Sequence, residues 1–239
     1  MSIVFLHGFL GCRHDWRVVM EGLDGGGLAL DLPGHGDNRE RPPEFAALLT
    51  WLASNIPESV HLVGYSMGGR IAMHYAHAHP QRVKSLTVVS ASPGIEEEPA
   101  RASRREHDAN WAAKLRNIPM SDFLDAWYKQ PVFDSLKQNP DLLAMIKTQR
   151  SGGNAGLLAE ALINWGQGTV PSLWRVPLHV PLQWIFGDQD LAYVKIARST
   201  EHPLPGNIRI IKQAGHTVHL EQPAMLADSI RSFVKEHDA

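Results

Sequence analysis

The segment Gly64-Tyr65-Ser66-Met67-Gly68-Gly69-Arg70 sets a serine between two glycines, directly after the apolar run Val60-His61-Leu62-Val63. The pattern predicts a strand, a sharp turn at the serine and a helix opening at Met67. A serine on such a turn occupies strained backbone, and side chains two positions either side would collide across it. The turn would present Ser66 Oγ beside the first amides of the helix, which lack acceptors and favour negative charge. To do chemistry, that hydroxyl needs a base, and the base needs an acid to orient it. Downstream, Leu182 to Phe186 ends in Gly187-Asp188-Gln189-Asp190, and Ile208 to Ile211 leads into Gln213-Ala214-Gly215-His216. Both groups follow the carboxyl ends of predicted strands, the edge at which Ser66 also sits. His216 supplies a base, and Asp188 or Asp190 supplies the acid.

Arginines supply the second kind of chemistry. Arg70 lies four residues after Ser66, one helical turn on, so it faces the side of the elbow unless it pairs with a surface carboxylate. Arg101, Arg104 and Arg105 cluster in one segment, and Arg150 precedes Ser151-Gly152-Gly153-Asn154. The planar guanidinium fork binds carboxylates bidentately, so several around one pocket imply a small polyanionic substrate. His7 and His35 read as loop braces. His74, His77 and His79 share a segment without the carboxylate or cysteine spacing of a metal site, and read as a solvated helix face. Cys12, the one cysteine, excludes an internal disulfide and suits a reducing cytosol.

The elements that must position these groups follow an alternating pattern. Short apolar runs (Ile3 to Leu6, Leu28 to Leu30, Val60 to Val63, Leu86 to Val89, Leu182 to Phe186, Ile208 to Ile211) read as strands of a parallel sheet covered on both faces. Helices fall between them: one starting near Pro42-Pro43 and carrying Phe45, Leu48, Leu49 and Leu52, one from Met67 to about His79, and a last from about Ala224 to Val234. From Ser90 to about Val180 there is no strand, and the interval is too long for a loop. It reads as a helical cap over the carboxyl ends of the strands, where open α/β sheets bind ligands. The expected division is a core of residues 1–92 and 179–239 with a cap of residues 93–178. A formal net charge of -2 offers no general attraction for nucleic acid or anionic membrane. With no basic leader and no apolar stretch of ~20 residues, the expected compartment is cytoplasmic. Oligomeric state has no sequence signal.

Phe5-Leu6-His7-Gly8-Phe9, Asp31-Leu32-Pro33-Gly34-His35-Gly36, the serine elbow, Gly187-x-x-Asp190 and Ala214-Gly215-His216 together resemble the α/β-hydrolase superfamily across nearly the whole chain. The order serine, acid, histidine is that of this superfamily. The resemblance implies an α/β-hydrolase fold, a mostly parallel sheet flanked by helices with a helical cap insertion. With two residues ahead of the first strand, the usual N-terminal antiparallel hairpin is expected to be missing. The resemblance also implies that Asp190, three residues after the glycine, is the acid, and that the backbone amides of Phe9 and Met67 form an oxyanion hole.

A narrower resemblance is to the 2-succinyl-6-hydroxy-2,4-cyclohexadiene-1-carboxylate synthases, lyases of menaquinone biosynthesis. It rests on the elbow with Arg70, on Trp127-Tyr128-Lys129-Gln130-Pro131-Val132-Phe133, and on Gln149-Arg150-Ser151. It implies that Arg70, Arg104 and Arg150 bind the carboxylates of a tricarboxylate substrate, with Arg101 and Arg105 as alternatives to Arg104. Tyr65 and Trp127 would line the pocket, Trp127 reading equally as a cap-core aromatic. The implied reaction is loss of pyruvate through proton abstraction by Ser66, His216 and Asp190, with no metal and no organic cofactor. The rival readings are a small-molecule esterase or C–C hydrolase working through an acyl-enzyme, and a non-catalytic ligand-binding module.

Overall fold

The apolar runs pair into one sheet whose four central members are buried along nearly their whole length, while the edge runs Leu28–Leu30 and Asn207–Ile211 are partly exposed. In the computed structural model, which describes residues 2–200 and 203–238, the strands are β1 (Ile3–Leu6), β2 (Leu28–Leu30), β3 (Val60–Tyr65), β4 (Val83–Val89), β5 (Leu182–Gly187) and β6 (Asn207–Ile211). Their order is β2-β1-β3-β4-β5-β6, and every neighbouring pair is parallel. The period of two sorts their side chains. Val4, Leu6, Leu62, Leu86, Val88, Trp184 and Phe186 enter one core, and Ile3, Phe5, Val63, Tyr65, Val89 and Ile185 the other. Helices α1 (Arg17–Glu21), α2 (Phe45–Asn55) and α3 (Met67–Ala78) follow the first three strands. Leu48 and Leu52 of α2 and Ile71, Ala72 and Tyr75 of α3 close the first core. Val19 of α1 joins the second, which the last helix completes.

Between β4 and β5 stand α4 (Glu98–Asn117), α5 (Met120–Trp127), α6 (Pro140–Arg150) and α7 (Ala155–Trp165), with a 3-10 stretch at Pro131–Gln138. Trp111, Phe123, Tyr128, Phe133, Leu136, Ile146 and Leu158 form their own apolar cluster, into which Leu10 of the core reaches. The two ends of the interval are stitched together: Leu173 N–H donates to Pro93 O at 2.8 Å and Trp174 Nε1–H to Gly94 O at 3.0 Å. Helices α8 (Leu191–Ala197), α9 (Val218–Glu221) and α10 (Pro223–Glu236) complete the order, with Leu226, Ile230 and Phe233 buried along α10.

Several limits differ from the sequence reading: β4 begins at Val83, three residues before Leu86, β3 and β5 run on to Tyr65 and Gly187, and β6 begins at Asn207. The second helix starts at Phe45, after Pro42-Pro43, whose carbonyls instead accept Asn164 Nδ2–H at 3.0 Å and Trp165 Nε1–H at 2.9 Å from α7. The elbow helix ends at Ala78, one residue early, and α10 extends a residue or two past both predicted ends. The core limits at residues 1 and 239 lie outside the described residues. Among the described residues β1 is the first element.

Candidate active site

The elbow forms where β3 feeds α3. Ser66 takes φ 51° and ψ -111°, a conformation that costs a non-glycine residue energy and persists because its surroundings enforce it. Its N–H is held by Val89 O at 2.9 Å, and its carbonyl already accepts Arg70 N–H at 3.1 Å. A Cβ on Gly64 would overlap Gly68 O, so the strand-to-helix turn closes only around a glycine there. Ser66 Oγ lies 3.2 Å from His216 Nε2, and His216 Nδ1 lies 2.7 Å from Asp190 Oδ2. The carboxylate accepts the Nδ1–H hydrogen bond, which leaves the Nε2 lone pair for the serine hydroxyl. Asp188 plays a different part. Its Oδ1 accepts Ala214 N–H at 3.4 Å and its Oδ2 lies 3.8 Å from Lys212 Nζ, bracing the loop that carries the histidine. Asp190 is the partner of His216.

Ser66 opens into a cavity of about 320 Å³ whose walls include Phe9, Met67, Arg70, Arg104, Trp127 and Tyr193. Met67 begins α3, so its N–H is one of the first-turn amides without an intrahelical acceptor. Arg70 is 8% exposed, and its Nε is buried with no hydrogen-bond partner among the described residues. Burial pushes its guanidinium down to about 10, with nearby Arg104 acting in the same direction and Tyr193 and Asp108 opposing. It remains charged at neutral pH, and among the described residues no carboxylate pairs with it. Arg104 is held from two sides: Nε donates to Asp108 Oδ1 at 2.9 Å and Nη1 to Gln167 Oε1 at 2.6 Å. Gln167 in turn donates to Ser92 Oγ at 2.8 Å, tying the cap arginine to the end of β4. Arg101 and Arg105 turn the other way and bind the carbonyls of Gly168 and Thr169. Of the three clustered arginines, Arg104 is the one at the cavity.

Two predicted pocket residues lie elsewhere. Arg150 lines a neighbouring cavity of about 220 Å³, where its Nη2 pairs with buried Asp15 at 2.9 Å and its Nε donates to Leu10 O at 3.1 Å. Burial opposes its charge, and Asp15 together with Tyr128, Tyr65 and Cys12 outweighs that, raising its pKa. Tyr65 sits behind the triad, its ring 5.5 Å from that of His216 and 4.1 Å from that of His219. Burial lifts its hydroxyl well above the usual tyrosine value. Trp127 does both things proposed for it, lining the cavity and packing on Phe9 at 5.1 Å and Trp111 at 5.0 Å.

The histidine reading is borne out in part. His7 donates from Nδ1 to Gly8 O at 2.8 Å and accepts Leu32 N–H on Nε2 at 3.0 Å, while His35 Nδ1 holds Pro33 O at 3.2 Å. His74, read as solvated, is buried instead, its Nε2 on Pro171 O at 3.1 Å and its ring edge-on to Phe45. Burial pushes it down to about 4. No cluster of His, Cys, Asp or Glu suited to a metal occurs among the described residues. Asp108, Gln167 and Tyr193 were not singled out in the sequence. The first stands four residues after Arg104 and the last three after Asp190, spacings that helical geometry makes neighbours. Gln167 comes from a separate turn and carries no local signal.

A family model described as "Alpha/beta hydrolase family" matches residues 3–229. A relative from Enterobacter sp. (strain 638), named 2-succinyl-6-hydroxy-2,4-cyclohexadiene-1-carboxylate synthase, is 36% identical over 98% of this chain and 91% of its own length. The synthase of the same name from Salmonella typhimurium is 33% identical over 98% of this chain and 94% of its own. The chain belongs to the α/β hydrolase family, among these synthases. The solved structure of MenH from S. aureus superposes with a TM-score of 0.92 at 30% identity, covering 100% of this chain and 95% of that one. A thermophilic esterase from Thermogutta terrifontis shares the fold at a TM-score of 0.82 and 20% identity. Family membership therefore covers core and cap alike.

Proposed function

We propose that the Ser66 cavity carries out the synthase reaction of this family, a carbon–oxygen lyase step in menaquinone biosynthesis. The substrate is 2-succinyl-5-enolpyruvyl-6-hydroxy-3-cyclohexene-1-carboxylate, a free tricarboxylate, and the products are the cyclohexadiene and pyruvate. His216, polarised by Asp190, draws the proton from Ser66 Oγ as that oxygen takes the ring proton beside the succinyl carbonyl. The released electron pair makes the 2,3 double bond, the 3,4 double bond moves to 4,5, and the C5–O bond breaks. The departing enolate of pyruvate takes up the proton that His216 holds, which returns the triad to its starting state. Charge developing on the succinyl carbonyl oxygen falls to the amides of Phe9 and Met67, where preorganised donors act at their strongest. No acyl-enzyme forms, and each step uses side chains of this chain.

The observation that carries this reading is Arg70: a buried, charged guanidinium that no carboxylate pairs with among the described residues, on the wall that also presents Ser66 Oγ. An aliphatic ester would leave that charge unpaired, whereas a substrate carboxylate completes it. Arg104, pre-set by Asp108 and Gln167, is the second carboxylate partner, and Trp127 the apolar wall under the ring. Arg150 reaches substrate only after leaving Asp15, so two arginines meet the substrate in this arrangement. The cap, residues 93–178 in our division, keeps water from the anion. The proposed reaction is cytoplasmic and acts on a small-molecule substrate, with neither nucleic acid nor membrane as partner. In a coupled assay, pyruvate release from this substrate is expected to exceed hydrolysis of an activated ester by orders of magnitude. Rapid ester turnover without pyruvate would favour the acyl-enzyme reading instead.

A further inference from the structure

The residue that completes the triad sits on a loop. β6 ends at Ile211, Gln213 takes a left-handed backbone with φ 55°, and helix resumes only at Val218. A histidine so placed keeps its ring at hydrogen-bond distance from two partners only if the backbone on either side is tied down. One side chain does this. Glu221 accepts Gly215 N–H at 3.1 Å on each carboxylate oxygen, Thr217 N–H at 3.1 Å and the Thr217 hydroxyl at 2.8 Å. Gly215 and Thr217 are the two neighbours of His216, so a single carboxylate brackets the histidine with charge-assisted bonds, the stronger kind. The same turn closes on itself through Leu220 N–H and Glu221 N–H, both donating to Thr217 O, at 2.8 and 2.9 Å. From above, Ser135 of the cap presses on Gly215 so closely that a Cβ there would overlap its hydroxyl. From behind, Tyr65 backs the imidazole. Asp188 holds the loop one residue further back, at Ala214 N–H, and among the described residues Glu221 is the carboxylate that binds both neighbours of His216. Glu221 is not part of the Ser66 cavity wall.

We infer that Glu221 is a positioning residue for His216: it sets the backbone from which the imidazole reaches Ser66 and Asp190, and so controls turnover without touching substrate. The inference rests on the reading of His216 as the base. The chemistry of the acceptor matters as well as its shape. In Glu221→Gln one acceptor oxygen becomes an NH2 group, which would face the N–H donors it now binds. Glu221→Ala removes both oxygens.

The test measures kcat and KM for pyruvate release in Glu221→Gln, Glu221→Ala and His216→Ala. Alongside, it follows the far-downfield NMR signal of the proton between His216 Nδ1 and Asp190 in the ligand-free protein. Displacing a catalytic group by about 1 Å costs on the order of 100-fold. Glu221→Ala is therefore expected to lose roughly 10- to 100-fold in kcat with KM unchanged. Glu221→Gln should lose less, and the downfield signal should shift or broaden in both. Should Glu221→Ala fail to fold, Glu221→Gln, nearly equal in volume, carries the test alone. Full kcat with an unmoved signal in a folded Glu221→Gln overturns the inference, and so does a loss confined to KM. Intact turnover in His216→Ala overturns the reading of His216 as the base, a distinct failure visible without either Glu221 variant.

Discussion

Asp188 and Asp190 stand two positions apart on one turn, and what separates them is the direction in which the backbone aims each carboxylate. Asp190 meets His216 at 2.7 Å while Asp188 braces Ala214 and faces Lys212. Such a difference depends on how β5 and β6 stack, so the residues alone left two acids and the family spacing chose between them. Arg70 was legible because helical geometry is local: four residues past the serine means the same face. Arg104 became distinguishable from Arg101 and Arg105 through tertiary contacts, since the carbonyls of Gly168 and Thr169 engage Arg101 and Arg105 while Arg104 lines the cavity. The pairing of Arg150 had no sequence signal, because its partner Asp15 is 135 residues away in sequence. The unpaired state of Arg70 yields a sharp prediction. Arg70→Met keeps volume but removes a charge whose burial works against it, so the melting temperature should hold or rise. Its kcat/KM for pyruvate release should fall by roughly 30-fold or more, because truncating a buried charge partner costs about 2–5 kcal/mol. Loss of stability with turnover intact would mean that Arg70 serves the fold and not the substrate.

At the scale of elements, the strands could be read because a parallel sheet buried on both faces needs continuous apolar runs, and β1 and β2 match the predicted limits to the residue. The short helices α1, α8 and α9 were missed. Each spans one or two turns, too short to stand without tertiary support, so no periodicity announces it. Pro42-Pro43 misled for a related reason: the pair suits a helix start, but its carbonyls are taken by Asn164 and Trp165 of α7. The junction of β3 and α3 is where element geometry and chemistry coincide. Because a Cβ on Gly64 would meet backbone and not a flexible side chain, the elbow has no way to yield locally. Gly64→Ala should therefore lower stability by about 1–3 kcal/mol or more, read from denaturant unfolding, and depress turnover in whatever protein still folds. Wild-type stability in that variant would show that the strand-to-helix turn can widen.

For the whole molecule, the absence of strands between β4 and β5 disclosed a helical insertion, and the expectation that it caps the carboxyl ends of the strands came from the rule for open α/β sheets. The contacts that seat it, from Arg104 through Gln167 to Ser92 and from Arg150 to Asp15, join distant segments and had no sequence signature. The interior they help close holds several neutral histidines. Burial lowers His74 from 6.5 to about 4 and His219 to about 3, and drives His35 well below 6.5. His219 is the extreme case, packed between Trp16 at 5.0 Å and Tyr65 at 4.1 Å with neither ring nitrogen hydrogen-bonded among the described residues. Below pH 6.5 the unfolded chain binds protons that these folded sites refuse, so stability is whole above that pH. It falls with acidification until the folded values near 4 and 3 are reached. At about pH 5 each of His74 and His219 should cost about 2 kcal/mol, a large share of a typical total of about 5–15 kcal/mol. Urea unfolding at a series of pH values from neutral to mildly acidic should show this slope. His219→Phe, which keeps an aromatic ring between Trp16 and Tyr65 and removes both unpartnered nitrogens, should flatten the slope and hold or raise stability at neutral pH. A slope as steep in that variant as in the wild type would mean that acid lability arises elsewhere in the molecule.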